Sequence, residues 1–165
     1  LGCGEGRNSI YLAEYGFKVD AVDNSKAGIA KLCTMAKANN LKINAQLCDV
    51  RKYSFHASYD LIVAHGLFHL IERDDWQKII HNMKQFTNPN GINVVVVFTN
   101  IIPPPDDLRD LCVGLFEEEE LFNLYEDWNI LMKKSYILKD EHPGGIRHVH
   151  PVNKIVAKKT SNKRL

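Results

Sequence analysis

The sequence predicts an α/β protein built on a doubly wound, Rossmann-like parallel sheet. Three observations carry this expectation. Glycines stand on alternate positions, Gly2, Gly4 and Gly6, directly before a helical pattern. Strand patterns and helix patterns then alternate along the chain instead of falling in separate runs. Two consecutive strand patterns also close on an acid, Asp23 and Asp49, at the strand ends where parallel sheets place their ligand crevice.

The glycine run reads as a ligand loop. Glycine reaches positive φ without strain, and a strand-to-helix turn made of it lets a ligand lie against bare backbone at a helix N-terminus. Spacing selects the ligand. A dinucleotide fingerprint has G-x-G-x-x-G, with its third glycine where this chain has Arg7; here the spacing is G-x-G-x-G. That favours S-adenosylmethionine over NAD, with a purely structural bend as the other reading. A helix follows from Asn8 to Tyr15, with Ile10, Leu12 and Ala13 on its apolar face and Gly16 as a left-handed cap. The alternating run 17–23 is a strand ending in Asp23, an acid about twenty residues past the glycines that is suited to accept both ribose hydroxyls.

Ser25 is an N-cap for a helix from Lys26 to about Asn39, with Ile29, Leu32, Cys33 and Ala36 inward. The next strand, 43–48, ends at Asp49-Val50, where Asp49 is either a ligand to the cofactor or a turn cap. Residues 59–64 are almost all apolar, as in a strand covered on both faces. They lead into His65-Gly66-Leu67-Phe68-His69. His65 and His69 would share a face if this segment were helical, but no Glu completes a metal motif, and no metal is expected.

A helix opening at Asp74 or Asp75 runs to about Thr87, with Trp76, Ile79, Ile80 and Met83 inward. The turn Asn88-Pro89-Asn90-Gly91 and a strand over 92–99 follow. Three prolines at 103–105 make 101–107 a loop, either a lid on the crevice or a surface connection. The acids Glu117 to Glu120 stand at the start of a helix with Leu121, Leu124 and Tyr125, where they would complement its dipole. Strands over 128–138 and from Ile146 to about Lys158, joined at Pro143-Gly144-Gly145, form an antiparallel hairpin. The domain is thus expected over 1–158, with 159–165 a basic, frayed tail.

Composition fits one soluble domain: 165 residues, 45% apolar and 25% charged. A net charge of +1 with no basic stripe argues against a nucleic-acid partner. No apolar run reaches membrane-spanning length, and no membrane partner is expected. The four cysteines, Cys3, Cys33, Cys48 and Cys112, lack C-x-x-C spacing, as suits reduced thiols in the cytoplasm. Composition is silent on oligomeric state.

Leu1-Gly2-Cys3-Gly4-Glu5-Gly6 resembles the first motif of the class I S-adenosylmethionine-dependent methyltransferases, which commonly reads acid-Leu-Gly-x-Gly-x-Gly. The resemblance implies the sheet order 3-2-1-4-5-7-6 with strand 7 antiparallel. The motif's acid and most of the first strand would stand before Leu1. That strand lies between the second and fourth, and its loss would leave two rows of unpaired backbone groups, so the native protein is expected to extend further toward the N-terminus. The resemblance also gives Asp49 the adenine amino group and places 65–69 beside the methyl group, with Phe68 or Leu67 against adenine or substrate. The expected cofactor set is Gly2, Cys3, Gly4, Gly6, Arg7, Asp23, Asn24, Asp49, Val50, His65 and Phe68, with Arg7 a candidate partner of the cofactor's carboxylate.

Gly-Glu-Gly-Arg-Asn-Ser at 4–9, Val19 to Asp23, Cys112-Val113-Gly114, Glu120-Leu121 with Tyr125-Glu126-Asp127-Trp128, and a C-terminal His/Arg hairpin are similar to the tellurite-resistance protein B methyltransferases. In that family a His and nearby arginines face the substrate. His142 and Arg147 match; Pro143 stands where a second Arg is expected. The hairpin also reads as an anion site on its own chemistry, because Arg147 is a forked donor and His148 and His150 share a strand face. The competing reading is a solvent-facing strand.

Methyl transfer from a sulfonium needs donor and acceptor held in near-attack geometry, and no covalent nucleophile. A soft anion such as a tellurium or selenium oxyanion, or a thiolate, would need only positioning by Arg147 and His142. A hydroxyl or amine acceptor would use His65 or His142 as a base. The expected partner is thus a small-molecule methyl acceptor. Methylation of another organic metabolite, or a binding module without turnover, are the alternatives.

Overall fold

The computed structural model describes the backbone of residues 1–142 and 146–161, and the side chains of 1–139 and 148–161. The chain forms two compact units, Leu1–Ser54 and Phe55–Leu165. Each has its own sheet.

In the first unit, α1 (Arg7–Glu14), β1 (Val19–Asp23), α2 (Lys26–Ala38) and β2 (Ile43–Leu47) follow in order. β1 and β2 pair in parallel, from Val19 opposite Ile43 to Asp23 opposite Leu47. The Ser25 hydroxyl accepts from Gly28 N at 3.0 Å and starts α2 as an N-cap. Gly16, at φ +85°, closes α1, with its N–H on the Ala13 carbonyl and the Phe17 N–H on the Leu12 carbonyl. Ile10, Ala21, Leu32 and Ala36 make the core. Cys33 is exposed instead, since it stands about 100° around the helix from Leu32.

The second unit has four strands in the order β3-β4-β6-β5. β3 (Tyr59–His65) and β4 (Thr87–Phe98) are parallel; β6 (Ile146–Lys158) lies antiparallel between β4 and β5 (Asn129–His142). These are the neighbours expected for the last four strands of the methyltransferase sheet. The helix α3 (Arg73–Gln85) buries Trp76, Ile79, Ile80 and Met83, as their spacing predicts. β4 begins earlier than the sequence suggests. Thr87 faces Tyr59 and Ile92 faces Leu61, so Asn88 to Gly91 loop out within the strand, with Asn90 at φ +65°.

Two expectations are corrected here. The acidic run does not open a long helix, because α4 (Glu120–Asn123) has four residues, too few for a sizeable macrodipole. Its acids serve ion pairs instead, Glu120 with Arg73 and Glu119 with Lys133 at 2.6 Å. Nor does the chain fray at Lys159, the first residue of the tail expected over 159–165, of which 162–165 lie outside the described residues. Its N–H donates to the Gly91 carbonyl at 2.8 Å, and its ammonium reaches the carbonyls of Lys84 (2.7 Å) and Thr87 (2.8 Å). A lysine there satisfies acceptors that the end of α3 leaves open.

A buried polar chain ties α3, β4 and the segment after α4. Thr87 Oγ1 lies 2.6 Å from the Met83 carbonyl and 2.8 Å from Asn93 Oδ1, and Asn93 Nδ2 donates to the Tyr125 hydroxyl at 3.0 Å. Asn93 and Tyr125 are both fully buried, so removing one member strands the next without water. Tyr125→Phe is expected to lower stability by about 1–2 kcal/mol, measured as a lower urea midpoint with unchanged slope.

Candidate cofactor and acceptor sites

The glycine loop takes its shape from three left-handed residues, Gly2 (φ +63°), Gly4 (+52°) and Gly6 (+94°). Side chains rarely tolerate such angles. Cys3 N donates to the Val22 carbonyl at 3.0 Å, which ties the loop alongside β1. Asp23, at the end of β1, then fastens it. Its Oδ2 accepts from Gly4 N at 2.7 Å and its Oδ1 from Ser25 N at 2.8 Å. A single carboxylate therefore joins the loop, the strand end and the N-cap of α2.

Packing behind the loop is close. A Cβ at Gly6 would stand 2.3 Å from Leu32 Cδ1, and one at Gly28 would stand 2.8 Å from the Gly4 carbonyl oxygen. In front it is open, since a Cβ at Gly4 would meet nothing within 4 Å. No side chain caps α1, so the N–H groups of its first turn have no intrahelical acceptor. A ligand with a polar chain and a ribose diol fits this arrangement: open backbone, a helix start and a carboxylate with lone pairs to spare.

The other expected cofactor residues are placed as follows. Arg7 is the exposed first residue of α1, and Asn24 is exposed directly after Asp23. Asp49 caps the short helical turn Val50–Lys52, accepting from Arg51 N at 2.9 Å, and forms an ion pair with the Arg51 guanidinium at 2.5 Å. Hydrogen bonding from Arg51 holds its carboxyl below the usual carboxylate range. Burial, with the Asp23 carboxylate adding to it, pushes the Cys3 thiol up to about 11, which keeps it protonated and inert.

In the second unit, His65 ends β3 and is exposed. Gly66 at φ +64° then turns the chain, and Phe68–Leu70 form a single short turn, so His65 and His69 are not on one helix. Phe68 is corrected to a core residue. Its side chain has no exposed surface and packs near Phe116, which leaves no ring face for a cofactor.

His148 and His150 share one strand face as expected, but the face is buried. His150 stacks on Phe98 (4.5 Å between ring centroids), Phe98 on His69 (4.3 Å), and His148 meets His150 edge-on at 5.8 Å. His148 Nε2 lies 3.1 Å from Asp107 Oδ2, so the proline-containing loop contributes an acid to this row. The row sits at the C-terminal ends of β3 and β4, where parallel strands direct their ligands. The side chains of His142 and Arg147 lie outside the described residues. Asp107 left no signal in the sequence, because its contact is long-range. Gly28 did: a glycine inside a helical pattern marks a close approach.

A glycine loop fastened to a strand-end acid, and a sheet whose last strand inserts antiparallel, define the class I methyltransferase fold. The crystal structure of TehB from Haemophilus influenzae superposes with a TM-score of 0.87 at 30% identity, covering 96% of this chain and 56% of that one. A Burkholderia thailandensis N-methyltransferase, solved with 1,6-didemethyltoxoflavin and S-adenosylhomocysteine bound, shares the fold at a TM-score of 0.70 and 20% identity, covering 97% of this chain and 69% of that one. In sequence, a probable S-adenosyl-L-methionine-dependent methyltransferase TehB of Haemophilus influenzae is 36% identical over 133 residues, 79% of this chain and 45% of the relative. The chain thus spans about half the length of that relative. Residues 1–142 match the family described as tellurite resistance protein TehB, and the chain belongs to that family.

Burial, with the charge of nearby His150 adding to it, pushes His69 down from 6.5 to about 4. Between these values the unfolded chain binds a proton that the folded one refuses, so stability falls as pH drops from 6.5 toward 4. His69→Phe, which keeps a ring on Phe98, is expected to remove up to about 3 kcal/mol of that acid loss. Urea unfolding of both proteins at pH 7 and pH 4.5 reads the difference.

Proposed function

We propose that this chain is an S-adenosylmethionine-dependent methyltransferase acting on a small molecule. The observation that carries this reading is the Asp23 carboxylate held at 2.7 Å by Gly4 N beneath an open glycine loop. The family membership supports it. In this reading Asp23 accepts the ribose hydroxyls, Gly2 to Gly6 let the ligand lie along bare backbone, and Arg7 pairs with the ligand's carboxylate. Asp49, already paired with Arg51, accepts the adenine amino group with a remaining lone pair.

When bound, the sulfonium supplies an electrophilic methyl group. Its transfer to the acceptor would leave S-adenosylhomocysteine, with Gly2 to Gly6 and Asp23 holding the donor in place. The chain's own work is to position the acceptor and exclude water. Arg147 with His142 would orient an anionic acceptor such as a tellurium or selenium oxyanion, while His65 or His142 would take the proton of a protic one.

A second acceptor class, other organic metabolites with an uncharged hydroxyl or amine, has its own support. Asp107 beside His148 adds negative charge to the row of imidazoles, which disfavours an oxyanion there and is compatible with an uncharged acceptor. None of the helices among the described residues is long and apolar enough to cross a membrane. The free thiols among the described residues suit the cytosol, where we place the protein.

Isothermal titration with S-adenosylmethionine and S-adenosylhomocysteine should show binding, with none for NAD. Asp23→Ala is expected to abolish it, and Gly28→Ala to weaken it about tenfold or more by pressing on the Gly4 carbonyl from behind. NAD binding, or unchanged affinity in the folded Asp23→Ala protein, would sink the reading. Turnover, followed as S-adenosylhomocysteine formed, separates the acceptors. With selenite or a thiolate, Arg147→Ala should cost about tenfold or more; with an uncharged hydroxyl or amine acceptor, the loss should stay within about threefold.

A further inference from the structure

Resting on the methyltransferase reading above, we propose that His69 binds the methyl acceptor through Nδ1, and that this acceptor carries an uncharged hydroxyl or amine on an apolar body. The first support is a missing bond. Nδ1 of His69 is closed off from solvent and, among the described residues, has no hydrogen-bond partner. Native proteins rarely leave a buried polar atom in that condition unless a ligand or a function calls for it.

The ring around that nitrogen is held in place. It stacks on Phe98, the last residue of β4, with 4.3 Å between centroids and 20° between planes. The main chain is held as well: the His69 carbonyl accepts from Gly114 N at 3.1 Å, and the short turn that carries it closes with Ile71 N on the Phe68 carbonyl at 3.0 Å. A partnerless nitrogen is thus kept at the C-terminal ends of β3 and β4, where a parallel sheet places its ligand.

Three features select the class of acceptor. Burial, with nearby His150 adding to it, holds His69 at about 4, so the ring is uncharged at neutral pH and offers one N–H and one bare nitrogen. A hydroxyl or amine both donates and accepts, and so satisfies Nδ1 in either tautomer; an anion finds no positive charge there. The Asp107 carboxylate, 3.1 Å from His148 Nε2 in the same row, repels an oxyanion further. Beside His69 the surface is apolar and open, with Leu70 52% exposed and Val113, next to Gly114, 43%. Such surface gains from packing on an organic body and not from a hydrated oxyanion. Exposed side chains also change rotamer within nanoseconds, which lets an entering ligand part them.

Phenol, aniline and thiophenol test this, because they share a ring and differ in the reacting group; in mildly alkaline buffer thiophenol reacts as its anion and has no proton to offer Nδ1. Turnover is read as S-adenosylhomocysteine formed. His69→Phe keeps a ring on Phe98 and removes the nitrogen, while His69→Asn sets an amide about where Nδ1 stood. For phenol and aniline, kcat/KM is expected to fall about tenfold or more in His69→Phe and to recover to within about threefold of the natural chain in His69→Asn. For thiophenolate, both variants should stay within about threefold. Circular dichroism and an unchanged affinity for S-adenosylhomocysteine show that the variants keep their fold and donor site. Turnover of phenol and aniline indifferent to His69→Phe overturns the proposal, as does an equal loss with all three probes or a failure of His69→Asn to recover any of it. A natural chain that binds S-adenosylmethionine and methylates selenite but neither phenol nor aniline overturns this proposal alone; one that does not bind S-adenosylmethionine overturns the methyltransferase reading with it.

Discussion

The carboxylate of Asp23 is the constraint on which the first unit depends. It holds Gly4 N on one oxygen and Ser25 N on the other, so the loop and the start of α2 cannot move independently. Charge-assisted hydrogen bonds of this kind are roughly twice as strong as neutral ones. The glycines permit the loop's left-handed path but do not select it; the acid does. A residue suited to a ribose is thus also the residue that builds the surface on which the rest of the ligand would lie.

The second unit rests on a different principle, the insertion of β6 between β4 and β5. Because β6 runs antiparallel, its first half returns to the end of the sheet where β3 and β4 finish. That return brings His150 against Phe98, which stacks on His69, and sets His148 edge-on to His150. Histidines otherwise typical of a surface are thereby enclosed in an aromatic row. Gly114 shows how tightly the neighbouring segment is fitted: a Cβ there would stand 1.8 Å from the Ile71 carbonyl oxygen.

Much of this was legible in the residues. Alternating period and cap chemistry placed α2 from Ser25 and the buried face of α3 from Trp76 to Met83, because both are local properties. The glycine loop and Asp23 were legible because a strained turn admits few residue types. What stayed hidden depended on distant contacts. Phe68 looked like a ligand platform until its burial against Phe116 was known. Lys159 looked like a tail because nothing local announces the carbonyls that it caps. The imidazole row draws on 69, 98, 148 and 150, and the acid at 107 joins it only in three dimensions.

The position of β6 also bears on the order in which the chain can fold during synthesis. The strands of the first unit, β1 and β2, pair within a short stretch of chain. The inner strand of the second sheet is by contrast made after the other three strands of that sheet. Until it emerges, Val94 to Val97 of β4 present an open, β-branched edge with nothing to pair with. Such edges are where nascent chains associate wrongly. The second sheet therefore closes only when β6 has been made.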